Sequence, residues 1–553
     1  MKKRLISLMI GAIMAVSCVG LSACGKRADV NDGKTITVKV FKAGYGTAWI
    51  YKAKEKFEEI YKSEGYKVNI LKPDNSLKGN TALADMRTGT KSGVDLYFIQ
   101  SVSVANAIDA EYGSCAEDLT DIYNMPAISF DGTEEDVKIS QKLSSTYNES
   151  VKSDDKYYSF LWASSPCGLV ANKKVLQTYG LEIPRTTDEL FDCFSVIYNG
   201  TGSIKGSAQS GVYPFAWAGS NAYGYAMFSL YANLGQILGQ ENYNKFISLQ
   251  DGAEITDNDV KNGKSMYDND DVYSSLEIMM REFNTKTAYP GSVADTHDTA
   301  HYNLLTGKCA FIPDGEFFFS EAKVNYEQYI NDITIVNVPV NSDLGVKLKL
   351  DGSGNDRAKC DEILSYVINL IDEKKTNDEI IFAAGNDKEA EITPEQIAAI
   401  KEARGCYYER KDHNAYVTKG SPVADIAKLF LRMCASDDFG DLFNTTAYGY
   451  APYSRNNSVD SDYSFVNDCF RIVNHENAWG VSQLDVTGLR QKTNFALYEP
   501  YGIDIVRSLC QTNCTYASVN HTNDNDFIKT KKTIQNKVYS VWNEKMSKAG
   551  FNV

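Results

Sequence analysis

The sequence predicts an α/β protein with more than one hydrophobic core. Strand and helix patterns alternate through the first hundred residues, which is typical of a mostly parallel sheet with helices on both faces. The chain has 553 residues, whereas one domain usually holds about 100 to 200. Hydrophobic residues make up 43% and charged residues 23% of the sequence. These values are typical of a globular protein.

The amino-terminal elements form a strand–helix–strand unit. Residues 35–41 alternate apolar and polar side chains, as a strand does. A glycine turn at 44–46 precedes a helix whose apolar face carries Trp49, Ala53, Phe57 and Ile60. Further strands are predicted at 67–71 and 94–99. Ligands of such sheets bind beyond the carboxyl ends of the strands, where the glycine turn and Gln100 lie.

The first 23 residues have the pattern of a secretion signal. Lys2, Lys3 and Arg4 precede an apolar run that ends in Leu21-Ser22-Ala23-Cys24. The run is shorter than the roughly 20 apolar residues of a membrane span. Small residues before a cysteine resemble a bacterial lipobox, so we expect acylation of Cys24 and a flexible tether over 24–34. A plain secretion signal and a crude membrane anchor are the alternatives.

Charge and cysteine content restrict the partners and the redox chemistry. Removal of residues 1–23 takes away three cations and no acid, which lowers the net charge from −15 to −18. Such a chain is repelled by nucleic-acid phosphates, so we expect no nucleic-acid partner. The 12 cysteines are scattered. We favour free buried thiols, although Cys510 and Cys514 could pair.

The stretch from Phe160 to Leu190 organises the rest of the chain. An extended run and a short strand at 168–171 lead into a helix that Asn172 caps. Gly180 ends this helix in a left-handed position. Thr186 and Glu189 have capping-box spacing at the start of the next helix.

This stretch resembles the extracellular solute-binding lipoproteins of carbohydrate ABC importers (maltose-binding-like, extracellular solute-binding family 1). Ala171-Asn172-Lys173 stands where the family usually has Tyr-Asn-Lys. Gly180-Leu181 and residues 184–190 match its Gly-Leu-x-x-Pro-x-Thr-x-x-Glu-Leu pattern. The resemblance implies a two-lobed, type II periplasmic-binding-protein-like fold with a hinge and an interlobe cleft.

The resemblance also implies lobe boundaries. Lobe 1 is expected over 35–161 with 338–432, and lobe 2 over 162–337 with 433–553. The chain would cross between them near 160–163 and again at 336–340. Residues 302–317 resemble the family segment in which a helix ends in Gly-Lys, a buried strand follows, and a glycine turn faces the cleft. Phe317 holds the place where the family usually has Trp.

A sugar site needs flat aromatic rings for C–H faces, and carboxylates or amides for hydroxyl groups. The cleft position implied by the resemblance therefore gives a set of candidate ligand-binding residues, although each aromatic in it could instead be core: Tyr45, Gly46, Gln100, Trp162, Trp217, Asp314, Glu316 and Phe317. Trp49 has stacking chemistry too, but its helix face favours core packing.

Enzymatic and metal-binding signals are weak. His297 and His301 have metal-compatible i, i+4 spacing, but the sequence shows neither the Glu of a zincin motif nor a third ligand. No nucleophile elbow, P-loop or dinucleotide fingerprint appears in a suitable context. We therefore expect no metal, cofactor or catalysis.

Three functions remain as hypotheses. The preferred one is a monomeric receptor, lipid-anchored outside the bacterial cell membrane, that delivers a sugar to an ABC permease. The second keeps the fold and changes the ligand to a peptide, polyamine or metal. The third is a secreted enzyme acting on polysaccharide.

Overall fold

The structure is a computed structural model that describes residues 33–42, 44–109, 111–153, 155–252, 254–482, 487–493, 510 and 525–553. The predicted signal peptide, Cys24, nearly all of the tether, and Cys514 lie outside these residues. Among the described helices, none combines the length and the apolar character needed to cross a membrane.

Strands and helices alternate along the chain as follows. The first part contains β1 (Thr35–Val40), α1 (Ala48–Ile60), β2 (Lys67–Ile70), α2 (Gly79–Met86), β3 (Leu96–Gln100), α3 (Val104–Ala107), α4 (Thr120–Tyr123), β4 (Pro126–Ile128), β5 (Glu134–Lys138), α5 (Ile139–Lys142), α6 (Ser145–Ser150), β6 (Lys152–Ser153), β7 (Lys156–Tyr157) and β8 (Phe160–Asn172). The next part contains α7 (Lys173–Thr178), α8 (Thr187–Asn199), β9 (Gly200–Thr201), β10 (Ile204–Lys205), α9 (Ser207–Ser210), β11 (Tyr213–Phe215), α10 (Ala226–Ser248), α11 (Asp257–Asn262), α12 (Asp270–Glu282), α13 (His297–Leu305), β12 (Cys309–Gly315), α14 (Phe318–Tyr326) and β13 (Ile333–Val336).

The remaining part is mostly helical. It contains α15 (Asp343–Lys347), α16 (Arg357–Asp372), α17 (Asn377–Lys388), α18 (Pro394–Gly405), β14 (Cys406–Val417), α19 (Ala424–Cys434), α20 (Asp437–Thr446), α21 (Ser464–Val473), β15 (Trp479–Val481), α22 (Gly488–Thr493) and α23 (Asn525–Lys548). Short 3-10 helices lie at Gly89–Ser92, Tyr223–Tyr225, Gly263–Tyr267 and Glu327–Asp332.

Within the described residues, nine strands form one continuous mixed sheet. The order is β11-β12-β8-β14-β3-β1-β2, with β13 also paired to β8 and β15 to β14. Strands β2, β1 and β3 are parallel, as the sequence predicts for the amino-terminal unit. Strands β8 and β14 run antiparallel to each other through the centre of the molecule. They join the sheets of the two halves.

Buried side chains divide the chain into two lobes. Lobe 1 has its cores at residues 36–163 and 415–453. Lobe 2 has its cores at residues 167–408 and 465–546. The α/β class and the two-lobed fold predicted from the sequence therefore agree with the packing.

The predicted lobe boundaries differ from this packing in two stretches. Residues 338–406 pack in lobe 2, because β13 pairs antiparallel with the lobe-2 half of β8 at residues 169–172 and the chain does not cross there. The return crossing is β14. Residues 433–453 pack in lobe 1 rather than lobe 2, because α20 lies against the N-terminal helix α1.

The caps predicted around Asn172 are confirmed. Its side-chain oxygen accepts a hydrogen bond from the Val175 N–H at 3.1 Å, and Gly180 has a φ of 68°. The Thr186 hydroxyl accepts from the Glu189 N–H at 3.3 Å, so the predicted N-cap forms. The reciprocal bond of a capping box does not, because the Glu189 carboxylate accepts from the Arg185 N–H at 2.6 Å and not from that of Thr186. Local hydrogen bonding thus fixes the entry into lobe 2.

Eight cysteines are buried free thiols, which confirms the prediction for them: Cys115, Cys167, Cys193, Cys309, Cys360, Cys406, Cys434 and Cys469. The carboxyl-terminal helix α23 buries the side chains of Phe527, Ile534, Val538 and Trp542. Its Trp542 indole N–H donates to the Val260 carbonyl at 2.8 Å, so α23 packs on lobe 2.

Candidate functional site

The lobes meet where the two crossing strands are irregular. All 13 residues of β8 are buried, and small side chains at Ser164, Ser165 and Cys167 occupy its middle. The register of β14 against β8 shifts between Arg410 and His413. Bulges of this kind redirect side chains next to functional sites. Here the shift places Arg410, Lys411 and Asp412 at the lobe junction.

Tyr45 belongs to the glycine turn of lobe 1, and its side chain lies at this junction. Its ring contacts Trp162 and His413 with centroids 5.5 Å and 5.2 Å away. Its hydroxyl shares a hydrogen bond with the Ser165 hydroxyl on β8. The adjacent Gly44 has a φ of 83°, and a Cβ there would lie 3.0 Å from the Cβ of Phe317 in lobe 2. A glycine is therefore required both by conformation and by the close approach of the lobes. Gly46 is exposed.

Glu316 lies on the lobe-2 side and is only 4% exposed. Its backbone N–H donates to the Pro166 carbonyl at 3.1 Å. Neither carboxylate oxygen has a hydrogen-bond partner among the described residues. Burial raises the pKa of this carboxyl well above its ordinary value, and the nearby Tyr450 N–H, which makes no well-aligned hydrogen bond to it, offsets only part of the rise. Burial at the junction therefore favours the protonated form of Glu316.

Gly449 fills the narrow space between Tyr45 and Glu316. A Cβ at this position would lie 2.6 Å from Cε1 of Tyr45 and 2.9 Å from Oε1 of Glu316. The neighbouring Tyr450 carbonyl accepts from the Ser164 N–H at 3.2 Å, which ties this crossing segment to β8. Side chains of both lobes thus meet at the junction.

Phe317 and Arg410 form an aromatic–cation pair at the edge of the junction. The guanidinium carbon lies 5.4 Å from the Phe317 ring centre, and the Tyr225 ring lies 5.9 Å from the same ring. Arg410 also makes a two-point pair with Asp412, at 3.0 Å from Nε and 3.2 Å from Nη2.

Asp412 is anchored to lobe 1. The Ser101 hydroxyl donates to its Oδ2 and the Ser101 N–H to its carbonyl, both at 2.7 Å. Burial acts to raise the pKa of Asp412, but the charge of Arg410 holds it well below its ordinary value. Ser101 has a φ of 58°, an uncommon conformation for a non-glycine residue. It directly follows β3, at the strand end where the sequence predicts ligand binding.

The polar candidate Gln100 lies just behind this group. Its amide nitrogen is 3.3 Å from Nε2 of His413, and the two residues pair across β3 and β14. Burial lowers the pKa of His413, so its imidazole is neutral at neutral pH.

The two tryptophan candidates occupy cores. Trp162 is 1% exposed; it stacks on Trp49 with centroids 5.0 Å apart and donates to the Ile99 carbonyl at 3.2 Å. Trp217 packs on Phe283 inside lobe 2 and donates to the Cys510 carbonyl at 2.8 Å. Neither ring contacts the Phe317–Arg410 pair.

Asp314 is held within lobe 2 by a buried pair with His301, 2.7 Å from Nε2. Burial acts to lower the pKa of His301, but the Asp314 carboxylate raises it above its ordinary value. His297 contacts Asn221 instead, at 3.0 Å. In the described part of the chain, no group of three or more His, Cys, Asp or Glu side chains is arranged to hold a metal ion.

A cavity of about 480 Å³ lies elsewhere, between α10 and α12 of lobe 2, and Asn242, Lys245, Phe246, Asn262 and Asn269 contribute to its lining. The junction therefore stands out by its chemistry and by its place between the lobes, not by open volume.

Ser101, Ser165, Arg410 and Asp412 were missed by sequence reasoning. The stretch from Glu409 to His413 has the composition of a surface loop, and only the strand-like residues on either side could have indicated a buried crossing.

Comparison with known proteins gives a family. The family described as bacterial extracellular solute-binding protein matches residues 52–354, more than half of the chain. The chain belongs to this family. Its members are solute receptors of ABC transport, not enzymes, and they act outside the cytoplasm.

Solved structures share the fold at low sequence identity. The solute receptor AcbH is 14% identical with a TM-score of 0.52, and the match covers 92% of this chain and 100% of that one. A chitin oligosaccharide binding protein is 12% identical with a TM-score of 0.53, covering 91% and 99%. A family 1 protein from Bifidobacterium longum subsp. infantis is 12% identical with a TM-score of 0.51, covering 92% and 99%. No curated protein sequence matches the chain.

Proposed function

We propose that this solute receptor binds a sugar or oligosaccharide between its lobes and delivers it to an ABC permease. The observation that carries the proposal is the chemistry of the junction. Aromatic rings at Tyr45 and Phe317, a carboxyl at Glu316 and the Arg410–Asp412 pair lie where the lobes meet. Flat rings suit the C–H faces of a sugar, and side-by-side donors and acceptors suit its hydroxyl groups.

The unpartnered Glu316 carboxyl supports this proposal. A buried polar group without a hydrogen bond costs about 1–3 kcal/mol, and more if it is charged. Separated lobes would expose this carboxyl to water, whereas closure around a polyol would give its two oxygens hydroxyl groups as hydrogen-bond partners. Ligand binding would therefore favour closure by its differential affinity for the closed state.

The fold relatives agree with a carbohydrate ligand. AcbH is described as having an exclusive preference for β-D-galactopyranose, and another relative is a chitin oligosaccharide binding protein. We extend this ligand class to the present chain. Separately, we propose a lipid anchor at Cys24, because the residues before it resemble a lipobox, and a monomeric state.

A thermal-shift panel tests the ligand class. The purified mature chain is heated with D-galactose, maltotriose, chitobiose, a tripeptide mixture, spermidine and zinc chloride. A neutral sugar at 100 times its Kd should stabilise the fold by about 2.7 kcal/mol and raise the Tm. A Tm that responds only to peptide, polyamine or zinc would overturn the proposal.

A second experiment tests the anchor. Wild type and C24A are expressed in a bacterial host that is fed radiolabelled palmitate. We expect label and membrane association for wild type, and loss of both for C24A. Equal membrane association of the unlabelled variant would contradict the anchor.

A further inference from the structure

We propose that Arg410 is a ligand-contacting and specificity-determining residue of the cleft, and that the sugar it selects is neutral rather than acidic. This inference rests on the proposed function. It assigns to Arg410 the recognition of neighbouring hydroxyl groups on a sugar ring that lies over Phe317.

The first argument is position. Arg410 lies at the register shift of β14, between the lobe-1 group of Ser101 and Asp412 and the lobe-2 ring of Phe317. Its guanidinium covers the aromatic face that a sugar would use. Sideways displacement of the guanidinium would uncover this face and bring its N–H groups toward the hydroxyls of a ligand ring.

The second argument is unused hydrogen-bonding capacity. A guanidinium has five N–H donors, and the pair with Asp412 uses one on Nε and one on Nη2. No acceptor for Nη1 is found among the described residues, and the side chain stays 23% exposed. Arg410 therefore keeps donors for a ligand while it remains charge-paired.

The third argument is preorganisation. The Asp412 carboxylate accepts from the Ser101 hydroxyl and lies 3.2 Å from Nδ1 of His413, and the Asp412 backbone carbonyl accepts from the Ser101 N–H. A carboxylate held in this way orients the guanidinium that it binds. The positive φ of Ser101 is local strain of the kind found at functional sites.

The surrounding charges indicate a neutral ligand. The Arg410 guanidinium is paired with Asp412 and the His301 ring with Asp314, and burial raises the pKa of the nearby Glu321 to about 7. The charge of Arg410 is thus already compensated. A uronate would bring a further negative charge among these acids.

The test measures sugar affinity by calorimetry for wild type, R410K and R404K. Arg404 is a matched control, because it makes the same two-point pair with Asp372, at 3.0 Å and 2.8 Å, inside lobe 2. The probes are D-galactose, maltotriose, chitobiose and D-galacturonate. Tm values of all three proteins check the fold.

We expect wild type to bind a neutral probe, R410K to bind it at least tenfold more weakly, and R404K to bind it like wild type. Lysine keeps the positive charge but lacks the planar fork of donors. The lower sugar affinity of R410K therefore reports the loss of the guanidinium's hydrogen-bond geometry, not the loss of its charge. Equal affinity of R410K and wild type overturns the role of Arg410 while sparing the proposed function. Preference for D-galacturonate overturns the neutral ligand class. Absence of sugar binding by wild type overturns the proposed function and this inference with it.

Discussion

Replacing Trp162 with alanine tests whether this ring supports lobe 1 or contacts ligand. The side chain is 1% exposed, stacks on Trp49 and donates a hydrogen bond to the Ile99 carbonyl. Truncation of a buried Trp costs about 3–5 kcal/mol, and the stacked pair and the hydrogen bond place W162A toward the middle of this range, at about 4 kcal/mol.

Urea unfolding followed by far-UV circular dichroism measures this loss. R410K changes a junction side chain that is 23% exposed, so it should lose ligand affinity with a smaller effect on stability, and it serves as the contrasting variant. If the free energy of unfolding of W162A lies within about 1 kcal/mol of the wild-type value and the variant nevertheless loses sugar binding, the ring is a ligand contact and the core assignment is wrong.

Three further predictions concern buried acids and close packing. Burial raises the pKa of Glu282 to about 8, whereas the ordinary pKa of a Glu side chain is 4.5. Between these values the folded chain holds a proton that the unfolded chain has released, so the free energy of unfolding falls from pH 5 to pH 8 by up to a few kcal/mol. Urea titrations of E282Q should show no such pH dependence. G449A should weaken sugar binding measured by calorimetry, because its Cβ would overlap Tyr45. G385A, on an open helix face, is the control. Equal sugar affinities of G449A and G385A would contradict the packing argument. Closure buries Glu316 and is therefore accompanied by proton uptake, so the ligand-free protein should be more closed at pH 5 than at pH 8. Fluorescence energy transfer between labels on the two lobes measures this difference. An E316Q variant that keeps the pH response would contradict the explanation.

Local patterns predicted the entry into each lobe well. The alternation at 35–41 and the caps at Asn172 and Thr186 depend on neighbouring residues, so the sequence contains all that they need. The Gly-Lys ending of α13 and the buried strand β12 are local in the same sense.

The return crossing could not be predicted, because its polarity is compensated by distant partners. Glu409 accepts from Ser164 at 2.9 Å and from Tyr407 at 3.1 Å, and Arg410 pairs with Asp412. Charges that neutralise each other in this way let a polar segment lie in a central strand. Only the three-dimensional pairing with β8 reveals it.

Only some of the residues at the lobe junction could be predicted from the sequence, because the contacts of the others depend on distant partners. Tyr45, Glu316 and Phe317 were placed by turns next to strand ends, and the structure brings them together at the lobe junction. Trp162 was chosen because the resemblance implies a place at the crossover, and neither that place nor residue type distinguishes a stacking platform from a core side chain. Trp162 and Trp217 are both fully packed.

Small-angle X-ray scattering of the mature chain, with and without a neutral sugar that it binds, tests the central claim most directly. We predict a smaller radius of gyration with sugar at pH 8, with saturation at one sugar per chain, because the lobes close around the ligand. Binding with an unchanged radius of gyration, or a decrease that persists when Glu316 and Phe317 are both replaced by alanine, would contradict the account.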